Sequence, residues 1–174
     1  MCDSDVARRE ALLQDLMLKM IEFDAGDARR IQHFIKVASY ARTIGVGENL
    51  DPSCQLTLEA AAIVHDIGIH PAEEKYGNCS GKYQEELGPK PARAMMLEVG
   101  FSPARAERVA FLVGHHHTYD AIDGLDYQAL VESDFLVNLF EDDASPAAIA
   151  AARKRIFRTA TGTRLLDLTF GVGE

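Results

Sequence analysis

The apolar residues of this chain recur at steps of three and four, and this period constrains the fold more than any other feature. Between residues 5 and 23 it is carried by Val6, Leu12, Leu13, Leu16, Met20 and Ile21. Such spacing places apolar side chains on one face of an α-helix. No convincing run of alternating polar and apolar residues occurs in the 174 residues. The sequence therefore predicts an all-α fold.

Glycines, prolines and polar turn residues divide this pattern into segments. We expect helices at about 5–23, 28–44, 54–65, 90–99, 103–115, 126–140 and 147–159, a final short one near 165–170, and a long loop over 66–83. The third segment has almost no polar side, which predicts a helix that is buried all round. The length fits one domain, 1–174, built as a bundle of about seven helices. Its parts are an N-terminal helix (1–24), a core (28–140) and a C-terminal helical extension (145–174).

The charge balance narrows the range of partners. The chain has 27 acidic and 18 basic residues, a net charge of −9. Such a field repels nucleic-acid backbones and anionic membranes, so we expect neither a nucleic-acid polymer nor a membrane as partner. No stretch approaches the ~20 apolar residues of a membrane span, and the acidic residues that follow Met1 are unlike a secretory signal.

The cysteines indicate a reducing compartment. Cys2, Cys54 and Cys79 are an odd number and form no Cys-x-x-Cys pair, which is typical of free thiols rather than disulfides or a thiolate zinc site. We expect a soluble cytoplasmic protein, either a monomer or a homodimer.

The pair His65-Asp66 stands at the end of the most apolar helical segment. Adjacent helical residues point about 100° apart, so both side chains can contact one ion. An ionised carboxylate beside a buried helix is costly unless it is paired or metal-bound. Imidazole and carboxylate together suit divalent metals. Taken alone, however, the dipeptide more often forms a polar helix end.

Further candidate ligands occur in other helical segments. Asp134 lies between Leu130 and Val137 on an apolar stripe, where a buried aspartate binds a metal, pairs with an arginine or caps a helix. His33 lies at the edge of another stripe and alone is typical of a hydrogen-bonded core histidine. The run 115–117 is either a surface tract or a source of two inward-facing histidines for a second metal or a phosphate. Ligands on several helices are typical of metal sites inside bundles.

The order His33, His65-Asp66, Asp134 resembles the signature of the HD-domain superfamily, His … His-Asp … Asp. The segments AAAIVHDIG (60–68) and VESDFLVNL (131–139) also resemble the superfamily. Two further segments, KYGNCSGKYQEELGP (75–89) and HHTYDAIDG (116–124), are similar to one bacterial branch of HD phosphohydrolases. The resemblance implies an HD-type helical bundle in which 28–140 is the metal-binding core. It also implies one divalent metal held by His33, His65, Asp66 and Asp134, and a second held through His116 and His117.

The sequence departs from several branches of the superfamily. A further histidine expected before Gly88-Pro89 is replaced by acids, of which Glu86 is a candidate additional ligand. Ile69 stands where cyclic-dinucleotide phosphodiesterases of the HD-GYP type often have lysine, and no GYP triplet follows Asp123-Gly124. The alarmone-hydrolase motif is missing as well.

The function implied by the resemblance is metal-dependent hydrolysis of a phosphoester in a nucleotide or another small phosphorylated metabolite. The cofactor would be one or two ions of Fe, Mn, Ni, Co, Zn or Mg. Asp66 would be a ligand and would orient or deprotonate the attacking water. Four basic residues are candidates for substrate phosphate or, alternatively, ordinary surface charges: Arg30, Lys82, Lys90 and Arg93. Two other functions stay open, a di-iron oxygenase and a catalytically silent nucleotide-binding regulatory module.

Overall fold

The computed structural model describes residues 3–172, which fold into ten α-helices without a β-strand. The helices are α1 (Asp3–Phe23), α2 (Ala28–Gly47), α3 (Pro52–Val64), α4 (Ile69–Tyr76), α5 (Gly81–Leu87), α6 (Pro89–Val99), α7 (Pro103–Val113), α8 (Leu125–Glu141), α9 (Pro146–Arg155) and α10 (Ala160–Phe170). The all-α prediction is confirmed, and the predicted number of about seven helices was too low.

The loop predicted over 66–83 was wrong, because this stretch contains α4 and α5. The residues that suggested a loop mark the boundaries of these short helices. Gly68 precedes α4, Gly77 ends it in the left-handed conformation with φ of 71°, and Ser80 precedes α5. Pro71 lies in the first turn of α4, where a missing N–H breaks no helical hydrogen bond. Turn-forming residues so close together therefore delimit two short helices instead of one loop.

The most apolar segment forms the centre of the bundle. Every residue of α3 from Leu56 to Val64 is buried, which confirms the predicted all-round burial. Helix α3 packs against α1, α2, α7 and α8, and α2 packs against α8 as well. The C-terminal end of α3 consequently lies among helices that carry the other candidate ligands.

Two glycines allow α5 to lie close to the turns that follow α3 and α7. A Cβ on Gly68 would lie 2.6 Å from the carbonyl oxygen of Gln84, and a Cβ on Gly81 would lie 2.7 Å from the ring of His117. Larger residues at either position would push α5 away. Helix α5 therefore lies directly against the turn that carries Asp66.

A buried carboxylate on α8 connects the C-terminal helices to the core. Glu132 is fully buried, and its Oε1 accepts hydrogen bonds from the backbone N–H groups of Arg158 at 2.6 Å and Thr159 at 2.9 Å. The side chains of Gln128 and Thr159 donate to the same carboxylate. Thr159 in turn caps α10, so the helix predicted over 147–159 ends at Arg155 and α10 begins at Ala160.

Substitution Glu132→Ala is expected to lower the stability of the fold by about 3 kcal/mol, because it leaves several buried donors without an acceptor. Thermal unfolding followed by circular dichroism measures the loss. Asp142→Ala, which removes an exposed acid just after the same helix, is the control and should unfold like the wild type. Equal stability of all three proteins would show that the carboxylate is not needed.

The structure bears on the predictions about membrane spans and about the cysteines. None of the helices within residues 3–172 is long and apolar enough to span a membrane. Cys54 and Cys79 are free thiols, whereas Cys2 and the start of the N-terminal segment lie outside the described residues.

Candidate metal centre

Four segments of the fold bring their candidate ligands to one place. His33 comes from α2, His65 and Asp66 from the turn at the end of α3, Asp134 from α8 and His116 from the turn after α7. His65 is fully buried, and His33, His116 and Asp134 are less than 10% exposed. These polar side chains share an interior site because the helices that carry them all pack around α3.

The distances within this cluster match the spacing of ligands around one cation. His33 Nε2 lies 3.2 Å from Asp134 Oδ1 and 3.5 Å from Asp66 Oδ2. His65 Nε2 lies 3.5 Å from Asp66 Oδ2 and 3.6 Å from Asp134 Oδ1. The two ring nitrogens are 3.3 Å apart. Donors that surround a divalent ion at about 2.1 Å lie about 3.0–3.4 Å from one another, so this donor set fits a transition metal.

Hydrogen bonds on the outer side of the rings orient the lone pairs toward the cluster. His65 Nδ1 lies 2.9 Å from the carbonyl oxygen of Ala62, and His116 Nδ1 lies 2.9 Å from that of Val113. A carbonyl oxygen can only accept, so Nδ1 carries the hydrogen in both rings. In the neutral rings Nε2 therefore keeps its lone pair, as a metal ligand requires.

Two further residues of α8 support the first group of ligands. His33 Nδ1 lies 3.0 Å from Glu141 Oε2, and the other oxygen of Glu141 accepts a hydrogen bond from Lys36. Asn138 Nδ2 donates to Asp134 Oδ1 at 2.8 Å. Outer carboxylates and amides of this kind fix the orientation of metal ligands and tune their basicity.

A second donor group shares Asp66 with the first. The donor atoms of Asp66, His116 and His117 lie within 4.8 Å of one another, and those of His33, His65 and Asp66 do so too. Asp66 Oδ2 faces His33 and His65, whereas its Oδ1 lies 3.5 Å from His116 Nε2. The buried Nε2 atoms of His116 and His117 have no hydrogen-bond partner among the described residues. This arrangement fits a second cation on the other side of Asp66.

The charges of the first group stabilise one another. Burial opposes the charged form of His33, but a hydrogen bond with Asp134 and the negative charge of Asp66 raise its pKa to about 9. Burial raises the pKa of Asp134, and hydrogen bonds with His33 and His65 outweigh it and hold the pKa well below its usual value. At pH 7 His33 carries a proton that a cation has to displace. Metal binding should therefore strengthen as the pH rises toward 9.

The second donor group, which consists of Asp66, His116 and His117, differs in charge from the first. Burial opposes ionisation of Asp66, but the positive charge of His65 and the contact with His116 lower its pKa to about 2. Burial and the neighbouring ring of His116 lower the pKa of His117 to about 4, so the His117 ring is neutral at pH 7. A neutral imidazole beside an ionised carboxylate is a competent pair of metal ligands.

Several predicted site residues are not brought to the cluster. Glu86 lies on the outer side of α5, about half exposed, where Lys75 and Tyr76 contact its carboxylate. Arg93 pairs with Glu107 on α7. Lys82 and Lys90 are exposed and, like Arg93, do not line the cleft beside the cluster. Arg30 does line that cleft, but its guanidinium is held by other side chains.

Sequence reasoning missed the supporting roles of three residues. Asn138 and Glu141 follow Asp134 by four and seven positions, the spacing of one helix face, and this signal was available in the sequence. Glu85, which stands near the place of an expected histidine, accepts hydrogen bonds from His117 N and Thr118 Oγ1, both at 3.0 Å. It holds the turn that carries the second donor group.

Comparison with protein families agrees with this geometry. The HD domain family model matches residues 30–152, which include His33, the His65-Asp66 pair and Asp134. The chain belongs to the HD domain family, whose members are commonly metal-dependent hydrolases. Searches of curated proteins and of solved structures give no significant match.

Removal of the Glu141 carboxylate should weaken metal binding but leave the metal ligands themselves in place. Glu141→Ala removes the acceptor that orients His33, so the dissociation constant for Mn²⁺ should rise about tenfold or more. Glu141→Gln retains an acceptor oxygen and should lose less. Titration calorimetry with the purified protein measures both constants.

A matched control is available on the surface. Glu86→Gln also removes a carboxylate that pairs with a lysine, but one that lies away from the cluster. Its Mn²⁺ affinity should equal that of the wild type. Weaker binding by Glu86→Gln than by Glu141→Gln would reverse the assignment and favour Glu86 as a ligand.

Proposed function

We propose that the protein is a metal-dependent phosphohydrolase that acts on a nucleotide or another small phosphorylated metabolite. The observation that carries the proposal is a set of four donors from three parts of an HD domain. The ring nitrogens of His33 and His65 lie 3.3 Å apart, and each lies 3.2–3.6 Å from a carboxylate oxygen of Asp66 and of Asp134. Such a donor set is costly to bury unless a cation compensates its charge.

His33, His65, Asp66 and Asp134 would hold the first ion, and His116 and His117 would hold a second that shares Asp66. Divalent ions in such sites polarise phosphoryl oxygens and lower the pKa of water toward about 7. Asp66 is our candidate for the group that orients or deprotonates the attacking water, because its two oxygens face both donor groups.

The shape of the cleft supports a small substrate. A cavity of about 380 Å³ opens beside the cluster and is lined by His33, Asp66, His117 and Asp134 together with residues of α2, α5 and α8. Cavities of this size hold small molecules. The net charge of −9 disfavours a nucleic-acid polymer, whereas a metal-compensated cleft accepts a single phosphorylated metabolite.

A second function is favoured by one specific feature. A carboxylate shared between two histidine-containing groups also suits a di-iron centre that activates oxygen. Iron content and oxygen consumption distinguish this oxygenase from the phosphohydrolase. A regulatory module would bind a nucleotide and turn over nothing with any metal.

The test combines metal analysis with a screen of phosphomonoesters and nucleotides in the presence of Mn, Mg, Fe, Ni and Co. Asp134→Asn should lose both metal and phosphatase activity while its circular dichroism stays helical. Replacement of His116 and His117 together should reduce the metal content from about two equivalents to one.

The first histidine of the run 115–117 provides a control variant. His115 precedes the inward pair, but it is partly exposed and its Nδ1 contacts the carbonyl oxygen of Phe111. His115→Ala should keep wild-type metal content and activity. Undiminished metal in Asp134→Asn, or a phosphatase activity equal to that of the wild type in the same variant, would contradict the proposal.

A further inference from the structure

The cleft beside the cluster has a strongly acidic lining with two arginines at one edge. Asp27, Asp66, Asp134 and Glu141 contribute its carboxylates. Besides the candidate ligands His33 and His117, the basic side chains among the described residues that line it are Arg29 and Arg30, adjacent in the first turn of α2. A phosphorylated substrate in this cleft depends on whichever of them is free to bind it.

The guanidinium of Arg30 already forms contacts with other side chains of the protein. Its NH1 lies 3.2 Å from Asp27 Oδ2 and 3.1 Å from His70 Nδ1, and its NH2 donates to Glu73 Oε1 at 2.6 Å. These bonds tie the start of α2 to α4. Binding a phosphate through Arg30 would require breaking them, so the guanidinium is a poor candidate for a substrate contact.

The side chain of Arg29 forms no such contacts with the described residues. Its side chain is exposed and makes no hydrogen bond or ion pair with any residue of the part of the chain that the structure describes. A cation in the first turn of a helix opposes the helix dipole, so the stability of α2 does not account for an arginine there. In a chain with nine more acids than bases, this free guanidinium at the rim of the cleft is available for an external anion.

We propose that Arg29 binds the phosphate group of the substrate and so determines affinity for anionic ligands in this cleft. The inference rests on the proposed phosphohydrolase function. A guanidinium presents paired N–H donors that match two phosphate oxygens, whereas the ligand cluster would hold the metal. Arg29 thus takes the role that the sequence alone suggested for Arg30, Lys82, Lys90 and Arg93.

Binding of inorganic phosphate to the Mn²⁺-loaded full-length protein tests the proposal without relying on turnover. Arg29→Ala should weaken phosphate binding about tenfold or more, and Arg29→Lys should restore part of it. Metal content and thermal stability should not change. Arg164→Ala, which removes an exposed arginine of α10 that does not line the cleft, should bind phosphate like the wild type.

The possible outcomes distinguish a failure of the proposed role of Arg29 from a failure of the proposed phosphohydrolase function. Equal phosphate affinity of the wild type and Arg29→Ala overturns the role of Arg29 and leaves the proposed function standing. Loss of metal from Arg29→Ala also overturns it, since it would show a structural role. Absence of phosphate binding by the metal-loaded wild type contradicts the phosphohydrolase itself.

Discussion

The structure depends on the compensation of two carboxylates that the fold brings into its interior. Asp134 is 4% exposed, Asp66 lies against the same two histidines, His33 and His65, and both carboxylates are ionised at neutral pH. Isolated charges at such positions cost several kcal/mol, so the surrounding helices have to supply positive charge. Here histidines supply it, and a proton on His33 or a divalent cation completes the balance. The need to compensate these buried charges therefore accounts for the cluster of candidate metal ligands.

Rigid elements set the geometry of this site. Backbone carbonyls fix the rings of His65 and His116, and Glu141 fixes that of His33. Because each of these rings is held from its outer side, the inward nitrogens have little freedom to move apart when a cation binds. Such preorganisation favours tight metal binding.

Some of this architecture was predictable from the sequence and some was not. Helical periodicity and the order His33, His65-Asp66, Asp134 predicted the fold class and the residues that converge, because buried polar residues on apolar stripes have few structural uses. The 66–83 region was mispredicted because local composition cannot distinguish a loop from two short helices with several turn residues at their ends. Arg29 and Arg30 are equivalent in the sequence, and only their tertiary partners tell them apart.

Anomalous diffraction from crystals grown with Mn²⁺ locates the ion without reference to activity. We expect a strong peak about 2.1 Å from His33 Nε2, His65 Nε2 and an oxygen of each of Asp66 and Asp134. A crystal in which these four side chains hold no ion, with manganese bound elsewhere or not at all, would contradict this expectation.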